Sequence, residues 1–259
     1  MKKITAALLL AALLLTLTAC GGGAKAPEPT AAPVQTAAPT PEPTPEPTPE
    51  PTPEPTAEPT PTPTPEPDLR VLGVWEGRTY TNELLGVRYR QPETWSHMER
   101  DQLLELGGIA ARAVNDEQIA GIIAEADESG TMLYLLYAAA PDNGQSVNVN
   151  VTRLDAMTAL GLTEEAYIDA AIPDTETAMA SMGMTDIVTE KGTVLFAGAE
   201  HGCIRLTCRY GETQLWELLV VQKTVSHIAC YTFSSVGADT TGDLLAAWTP
   251  LYGAEEPAG

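Results

Sequence analysis

Proline dominates one stretch of this chain and excludes a packed core there. Residues 24–68 hold 17 of the 22 prolines, mostly in Pro-Thr-Pro-Glu repeats between Pro39 and Pro67. Proline fixes its own φ angle and biases the preceding residue towards extended backbone, so the stretch is expected to form a semi-rigid polyproline II rod. Seven glutamates in the same stretch repel one another and favour extension. We therefore expect a disordered tether here and a folded domain only beyond it.

The start of the chain has the pattern of an export signal. Lys2 and Lys3 precede an apolar run from Ile4 to Leu15. A basic start followed by a short apolar segment is typical of a secretory signal peptide. The run is too short to span a bilayer comfortably as a permanent helix. We predict that residues 1–19 are a signal peptide that is removed on export.

The residues that follow the apolar run indicate a lipid anchor. Leu17-Thr18-Ala19-Cys20 resembles the lipobox of bacterial lipoproteins, which is an apolar residue, a small residue, Gly or Ala, and then the cysteine. The resemblance implies a diacylglyceryl thioether on Cys20, with acyl chains such as palmitate, at the extracytoplasmic face of the cell membrane. Two or three acyl chains anchor a protein stably. The alternative is a chance cysteine after an ordinary signal peptide.

Composition divides the remaining chain into a tether and one domain. Residues 20–68 comprise the lipidated cysteine and the tether, residues 69–253 suffice for a single α+β domain, and residues 254–259 form a flexible tail. A tether of this length suits a protein that must project into or through a cell wall, which favours a Gram-positive type of envelope. Docking of a polyproline-binding partner and glycosylation of the threonines are alternative roles for the tether.

The charge of the chain argues against one class of partner. The formal net charge is −21 at pH 7, and removal of the signal peptide takes away the only basic cluster. Such a surface repels nucleic acid phosphates, so sequence-independent binding to nucleic acid lacks its main electrostatic driving force. No nucleic acid partner is expected.

Hydrophobic periodicity predicts an α+β fold built on a mainly antiparallel sheet. The predicted strands are 78–82, 87–91, 131–138, 146–154, 185–189, 193–197, 202–210, 213–222 and 226–234. The predicted helical regions are 101–126, interrupted at Gly107-Gly108, then 163–182, bent or restarted at Pro173, and 240–248, with Leu244, Leu245 and Trp248 facing inward. Short links between successive strands make the sheet antiparallel, and helices on both of its faces give an α-β-α sandwich.

The opening of the domain resembles a known superfamily. Tyr80-Thr81-Asn82, Leu85-Gly86-Val87-Arg88-Tyr89 and Gln91-Pro92-Glu93-Thr94-Trp95 are similar to the start of Mog1/PsbP-like domains, although Glu93-Thr94 stands where a Gly often precedes the Trp. The resemblance covers residues 75–252 and implies an α-β-α sandwich that serves mainly as a protein-binding module. Fold alone does not define a functional site.

The three histidines are the natural candidates for an enzyme or metal site. His97 follows a strand, His201 lies at a turn beside Glu200, and His227 opens a strand. The sequence contains no HExxH, HxH or GxSxG spacing that would join them to other catalytic groups. Surface or structural roles are therefore favoured, and no catalytic, cofactor-binding or metal-binding residue is assigned.

Other polar and aromatic groups have simpler interpretations. Trp75 and Trp95 form either an aromatic binding patch or, as we favour, part of the core. The three thiols besides Cys20 allow at most one disulfide, and we interpret them as small buried apolar residues. They are Cys203, Cys208 and Cys230. The acidic pairs lack a calcium-loop pattern and are expected to be solvated. They are Asp127-Glu128, Glu164-Glu165 and Glu255-Glu256.

These observations favour a non-catalytic lipoprotein whose domain binds a protein or peptide partner in the envelope. Binding of a small solute or metal is the first alternative, and a secreted hydrolase is the second. The sequence leaves the partner and the oligomeric state open.

Overall fold

Eleven strands in two antiparallel sheets form the framework of the domain, in a computed structural model that describes residues 69–107, 116–141 and 144–252. The small sheet contains, in spatial order, β1 (Val74–Glu76), β2 (Thr79–Asn82), β3 (Val87–Arg90) and β11 (Trp248–Pro250). The large sheet contains, in spatial order, β4 (Ser96–His97), β5 (Leu133–Ala139), β6 (Ser146–Arg153), β10 (His227–Val236), β9 (Thr213–Lys223), β8 (Ala199–Tyr210) and β7 (Thr185–Phe196).

In the described ranges, five α-helices accompany the sheets. They are α1 (Arg100–Leu106), α2 (Asp116–Ser129), α3 (Ala156–Gly161), α4 (Glu164–Ser181) and α5 (Thr241–Leu244), and 3-10 turns lie at Leu69–Leu72 and Leu245–Ala247. The α+β class with mainly antiparallel pairing is confirmed, although the strands divide into two sheets rather than one. In the described part of the chain, no helix is both long enough and apolar enough to cross a membrane.

The predictions for residues 1–19, for Cys20 and the tether up to residue 68, and for residues 254–259 lie outside the described residues.

The small sheet holds the chain where it enters the domain. The Tyr80 hydroxyl donates to the carbonyl of Leu72 at 3.0 Å, and Asn82 Nδ2 donates to the carbonyl of Val71 at 2.8 Å. Both side chains are buried. We call this pair of hydrogen bonds the entry clasp.

One face of the large sheet forms the main core. Helix α2 contributes Ile119, Ile123 and Ala126 to this core, while Ile122 is only half-buried. The small sheet covers the same face, where Trp248 lies within 6.3 Å of the ring centroids of Phe196, Tyr231 and Phe233. The apolar residues that β6, β9 and β10 contribute here alternate along each strand, as expected for one buried face. The register shift in β5 instead places the consecutive residues Leu135 and Leu136 in this core.

Helix α4 covers the opposite face over β7, β8 and β9. Its apolar side chains, including Tyr167, Ile168 and Met179, pack against Ile204 and Leu206 of β8. Helices therefore lie on both faces of the large sheet, as the sandwich prediction required.

The predicted break between two strands at 185–189 and 193–197 is wrong, because β7 is continuous. Gly192 lies within the strand opposite Cys203. A Cβ at this position would come 3.1 Å from Nη1 of Arg205, so the glycine leaves room for that guanidinium. The irregularity lies earlier, as a register shift between Thr185 and Val188 with Asp186 at φ 51°.

One helix prediction is wrong, and the two alternatives for Pro173 are reduced to one that keeps the helix continuous. The helix expected over 240–248 ends early, because Trp248 begins β11 and pairs with Tyr89 of β3. Helix α4 continues through Pro173 without restarting. The start expected at residue 163 is confirmed, since Thr163 Oγ1 caps the helix by accepting from the backbone N–H of Ala166 at 3.1 Å.

Candidate functional site

Strand β7 forms an open edge of the large sheet. It pairs with β8 on one side, and no described strand lies on the other. It is 12 residues long, and Val188 and Leu195 are 52% and 71% exposed. Native sheets usually shorten, charge or cover such edges, because an open edge invites pairing with another chain. A long edge with exposed apolar residues is therefore a candidate interaction surface.

A groove lies between this edge and the start of α4. Its volume is about 660 Å³. Residues of α4, β7 and β8 line it, together with the cap residue of α4. They are Thr163, Glu164, Glu165, Ile168, Lys191, Gly192, Thr193, Glu200, His201 and Gly202. We call it the edge groove.

Glu164 fixes the inner wall of the edge groove. Its Oε1 accepts from the backbone N–H of Lys223 at 3.0 Å and lies 3.0 Å from Nδ1 of His201, and its Oε2 accepts from the N–H of Gly202 at 3.0 Å. Burial alone would raise the pKa of Glu164, but the hydrogen bonds from His201, Gly202 and Lys223 outweigh burial and leave the pKa below its ordinary value. The carboxylate is thus committed to joining α4 to β8 and β9.

A glycine at the base of the groove allows α4 to approach closely. A Cβ on Gly202 would lie 2.6 Å from Cδ1 of Ile168, a buried residue of α4. The rim is charged, because Lys191 Nζ lies 2.7 Å from Oδ1 of Asp169 and 3.3 Å from Oε1 of Glu165. Hydrogen bonds that Lys191 donates to Asp169 and, with less effect, to Glu165 raise the pKa of Lys191.

The three histidines have three different surroundings. His201 contacts Glu164 in the edge groove. The ring of His97 stacks on Trp75, with centroids 3.9 Å apart, and its Nδ1 lies 2.7 Å from Oε1 of Gln91. Within the described ranges, no group of three or more potential metal ligands converges.

The cluster of Ser226, His227 and Asp127 contains the residue types of a hydrolytic triad but does not have its geometry. Ser226 Oγ lies 2.9 Å from Nδ1 of His227, and Asp127 Oδ1 lies 3.9 Å from its Nε2. In a working triad the carboxylate orients Nδ1 and the nucleophile lies at Nε2. Here Asp127 makes its shortest contact with Arg153, at 2.6 Å. We interpret the cluster as structural.

Several other sequence candidates are now placed. Trp95 is buried in the main core, and Trp75 packs against that core, as the favoured interpretation had it. Cys203, Cys208 and Cys230 are buried, which confirms their interpretation as small buried residues. The solvated role expected for the acidic pairs is wrong for Asp127 and Glu164, whose side chains are 13% and 24% exposed. Glu255-Glu256 lie outside the described residues.

A second polar feature, which we call the polar face, crosses the other half of the large sheet. It consists of Ser146, Asn148, Asn150 and Thr152 of β6, Thr232 and Ser234 of β10, and Glu217 of β9, all buried. Five of its atoms have no hydrogen-bond partner in the part of the chain that is described. They are Asn148 Oδ1, Asn150 Nδ2, Thr152 Oγ1, Thr232 Oγ1 and Glu217 Oε2. Native proteins rarely leave so many buried polar atoms unpaired.

Two tyrosines border the polar face. Tyr134 pairs with Asn150 and Tyr137 with Asn148, because a register shift in β5 places both on this side. At the far side, burial raises the pKa of Glu217 to about 8, against a weaker opposing effect from its hydrogen bond with Ser234. The side chain is therefore mostly a neutral acid at pH 7. In the sequence, Glu217 is the one charged residue in the apolar run from Leu215 to Val221, but that pattern alone indicates no role for it.

Comparison with known proteins adds no family to this description. No family model matches the sequence, and no curated protein matches it. The resemblance to Mog1/PsbP-like domains therefore stays a prediction.

Proposed function

We propose that this chain is an extracytoplasmic lipoprotein, anchored through Cys20, whose domain binds a protein or peptide segment without catalysing a reaction. The lipobox, the proline-rich tether and the Mog1/PsbP-like opening support the location and the class. One structural observation carries the binding site, namely the open edge of β7 beside the edge groove.

The open edge favours recognition by strand addition. An extended segment laid along β7 would form main-chain hydrogen bonds with the strand, and alternate side chains would point into the edge groove. The groove is wide enough for side chains, and its inner wall is held by a carboxylate that is already fully hydrogen-bonded. This arrangement suits binding rather than acid–base chemistry.

Charge restricts the bound segment. Glu165 and Glu200 are exposed at the groove, Lys191 is engaged by Glu165 and Asp169, and the chain as a whole carries −21. An acidic segment would be repelled, so we expect a neutral or basic one.

A peptide-display selection tests this proposal. The bait is the chain from residue 20 onwards with Cys20→Ser, which prevents lipidation. Enriched peptides should bind Val188→Lys and Leu195→Lys variants at least about tenfold more weakly, which is about 1.4 kcal/mol. They should bind the Leu160→Lys variant normally, because Leu160 is 85% exposed on α3, away from the lining of the groove. Failure to enrich any peptide, or equal loss in the Leu160→Lys control, would remove the proposal.

The anchor has a separate test. Cys20→Ala should release the protein from the membrane fraction of the producing cell, because the thiol that carries the lipid is gone. Continued retention in the membrane fraction would contradict lipidation at this residue.

A second candidate function is binding of a small, neutral, hydroxyl-rich solute at the polar face. The five unpaired buried atoms favour it, since each costs about 1–3 kcal/mol until it meets a donor or acceptor. A solute that binds the folded state raises the thermal midpoint. Millimolar glucose, maltose or N-acetylglucosamine should raise the midpoint of the parent chain but not of Thr232→Val. Thr175→Val is the control, because its buried hydroxyl already donates to the carbonyl of Ala171 at 2.8 Å.

A further inference from the structure

The sequence of the open edge is nearly the same in both directions. Residues 187–195 read Ile-Val-Thr-Glu-Lys-Gly-Thr-Val-Leu, with Lys191 at the centre. Thr189 and Thr193 are equally distant from Lys191, and the next positions outward are Val188 and Val194. The outermost pair is Ile187 and Leu195. Such a segment is complementary to itself when it runs antiparallel to a copy.

The pleat of β7 agrees with this symmetry. Thr189, Lys191 and Thr193 lie opposite Leu206, Ile204 and Gly202 of β8, on the face that α4 covers. Val188 and Val194 lie on the other face. A twofold axis perpendicular to the sheet, midway between Lys191 and the Lys191 of a second copy, would therefore place each residue beside its counterpart on the same face, as antiparallel pairing requires.

The exposed apolar residues would gain partners in this register. Val188, which is 52% exposed, would pair with Val194 of the second copy, and Leu195, which is 71% exposed, would pair with Ile187. Apolar cross-strand pairs of this kind stabilise antiparallel sheets. The register that pairs Thr189 with Thr193 of the second copy thus also covers the exposed side chains of Val188 and Leu195.

In this register the two Lys191 residues lie opposite each other and bring two positive charges together. Each copy also supplies carboxylates that balance its own Lys191. Like charges directly opposite one another destabilise a sheet. Each Lys191 ammonium, however, lies 2.7 Å from Asp169 and 3.3 Å from Glu165 of its own chain. Two ammonium groups would therefore meet four carboxylates. Glu190 would lie opposite Gly192, which has no side chain to oppose it.

We infer that a second copy of this chain pairs with the open edge of β7 in the register centred on Lys191, joining two large sheets into one. The inference rests on the proposed function, because it names a particular partner for the same edge. Two copies anchored on one membrane would meet at a high effective concentration, which favours even a weak pairing.

Disulfide trapping tests the register in the chain from residue 20 onwards with Cys20→Ser. The remaining cysteines are buried. A Lys191→Cys variant should form an intermolecular disulfide under mild oxidation. Thr189→Cys and Thr193→Cys should each stay largely uncrosslinked alone and crosslink when mixed, because only the mixture places the two thiols opposite each other. Val225→Cys, at a position that is 90% exposed outside the strands, provides the background rate.

Sedimentation velocity supplies an independent measurement. The parent chain should associate reversibly, and Val188→Lys should raise the dimer dissociation constant at least about tenfold. Val225→Lys should leave it unchanged. Crosslinking no faster than the Val225→Cys background, or a parent that stays monomeric at every concentration reached, would overturn the inference. If the parent chain stays monomeric but its selected peptides bind more weakly to Leu195→Lys, the proposed function stands and the inference fails. If the dimer is trapped but no peptide binds, the inference stands and the peptide-binding function fails.

Discussion

Glu217 is an unusual residue because it places a carboxyl group between buried apolar side chains. Its neighbours on β9 in the same face are Leu215 and Leu219, both buried. One carboxyl oxygen meets Ser234 Oγ at 3.2 Å, and the other has no described partner. Burial raises the pKa to about 8 from an ordinary 4.5. The folded chain therefore keeps a proton that the unfolded chain releases.

This residue should make stability depend on pH. Between about pH 4.5 and pH 8 the folded state binds more protons than the unfolded state, so stability falls as pH rises through this window. A tenfold difference in proton affinity between the two states corresponds to about 1.4 kcal/mol, so the loss amounts to several kcal/mol. Glu217→Gln should remove it. Urea unfolding at pH 5 and at pH 8.5 should find the variant more stable than the parent only at the higher pH.

The control for this measurement is Glu212→Gln, because Glu212 is exposed in the turn between β8 and β9. The difference in free energy of unfolding between Glu212→Gln and the parent should be the same at both pH values. A Glu217→Gln variant that behaved in the same way would show that the carboxyl group is not held neutral.

Helix α4 owes its position to a small number of contacts at its first turn. Glu164 links it to the backbone of β8 at Gly202 and of β9 at Lys223. The glycine allows Ile168 to approach the strand. These contacts set the width of the edge groove at the end where α4 begins.

Replacing Glu164 by Gln should loosen this end of α4. The loss of charge-assisted hydrogen bonds should cost about 1–2 kcal/mol at pH 7, after allowance for partial exposure. Because the pKa of Glu164 is lowered in the folded state, its contribution is present above the unfolded value and is lost as pH falls through the folded one. Chemical denaturation at pH 7 should find a lower free energy of unfolding for Glu164→Gln than for the parent, and this difference should become smaller in acid. Glu165→Gln, with a side chain 77% exposed, should show little change at either pH.

Gly202→Ala should test the close approach of α4 directly. The added methyl group would meet Ile168 and cost about 1–3 kcal/mol by overpacking. Combining it with Ile168→Ala should cost less than the sum of the two single changes, because the cavity accepts the methyl group. Strict additivity in chemical denaturation would contradict this account.

At the scale of the whole molecule, an aromatic cluster joins the two sheets. Trp248 of the small sheet stacks on Tyr89 at 4.8 Å and lies 5.6 Å from Phe196 and 5.2 Å from Tyr231 of the large sheet. Most contacts between the sheets' aromatic rings pass through this one residue.

Trp248→Ala should therefore destabilise the whole domain rather than one strand. Loss of a buried tryptophan typically costs about 3–5 kcal/mol. A single cooperative transition at lower urea concentration is expected for the variant. Tyr252 lies near the same end of the chain and is 67% exposed, so Tyr252→Ala should leave the urea midpoint of unfolding unchanged.

Local sequence patterns predicted most elements of this fold. The errors arise where contacts with residues distant in the sequence determine the local structure. The hairpin of β5 and β6, the cap of α4 and the strands β8 to β10 follow from periodicity and turn residues. Trp248 has helical spacing from Leu244 and Leu245, yet it pairs with Tyr89, which is 159 positions away. The pattern also predicts two strands at 185–189 and 193–197, yet one strand runs through Gly192, and the guanidinium of Arg205 occupies the space that this glycine leaves.

The edge groove was harder to predict than the fold. Its wall depends on Glu164 meeting residues of two strands that follow it by 38 and 59 positions. A short acidic pair at a helix start is the pattern of a solvated cap, so no local feature of the sequence indicates these contacts. The open edge also depends on strand order, which only the assembled sheet reveals.

The entry clasp has a mechanical consequence. The chain reaches the domain at Val71 and Leu72, whose carbonyls accept from Asn82 and Tyr80. If the chain is anchored through Cys20 as we propose, tension along it would load these two hydrogen bonds before it reached a strand of the large sheet. A partner bound at β7 would pull on the large sheet, and the force would pass between the two sheets through the aromatic cluster. In that proposed state the entry clasp would carry the load before the core does.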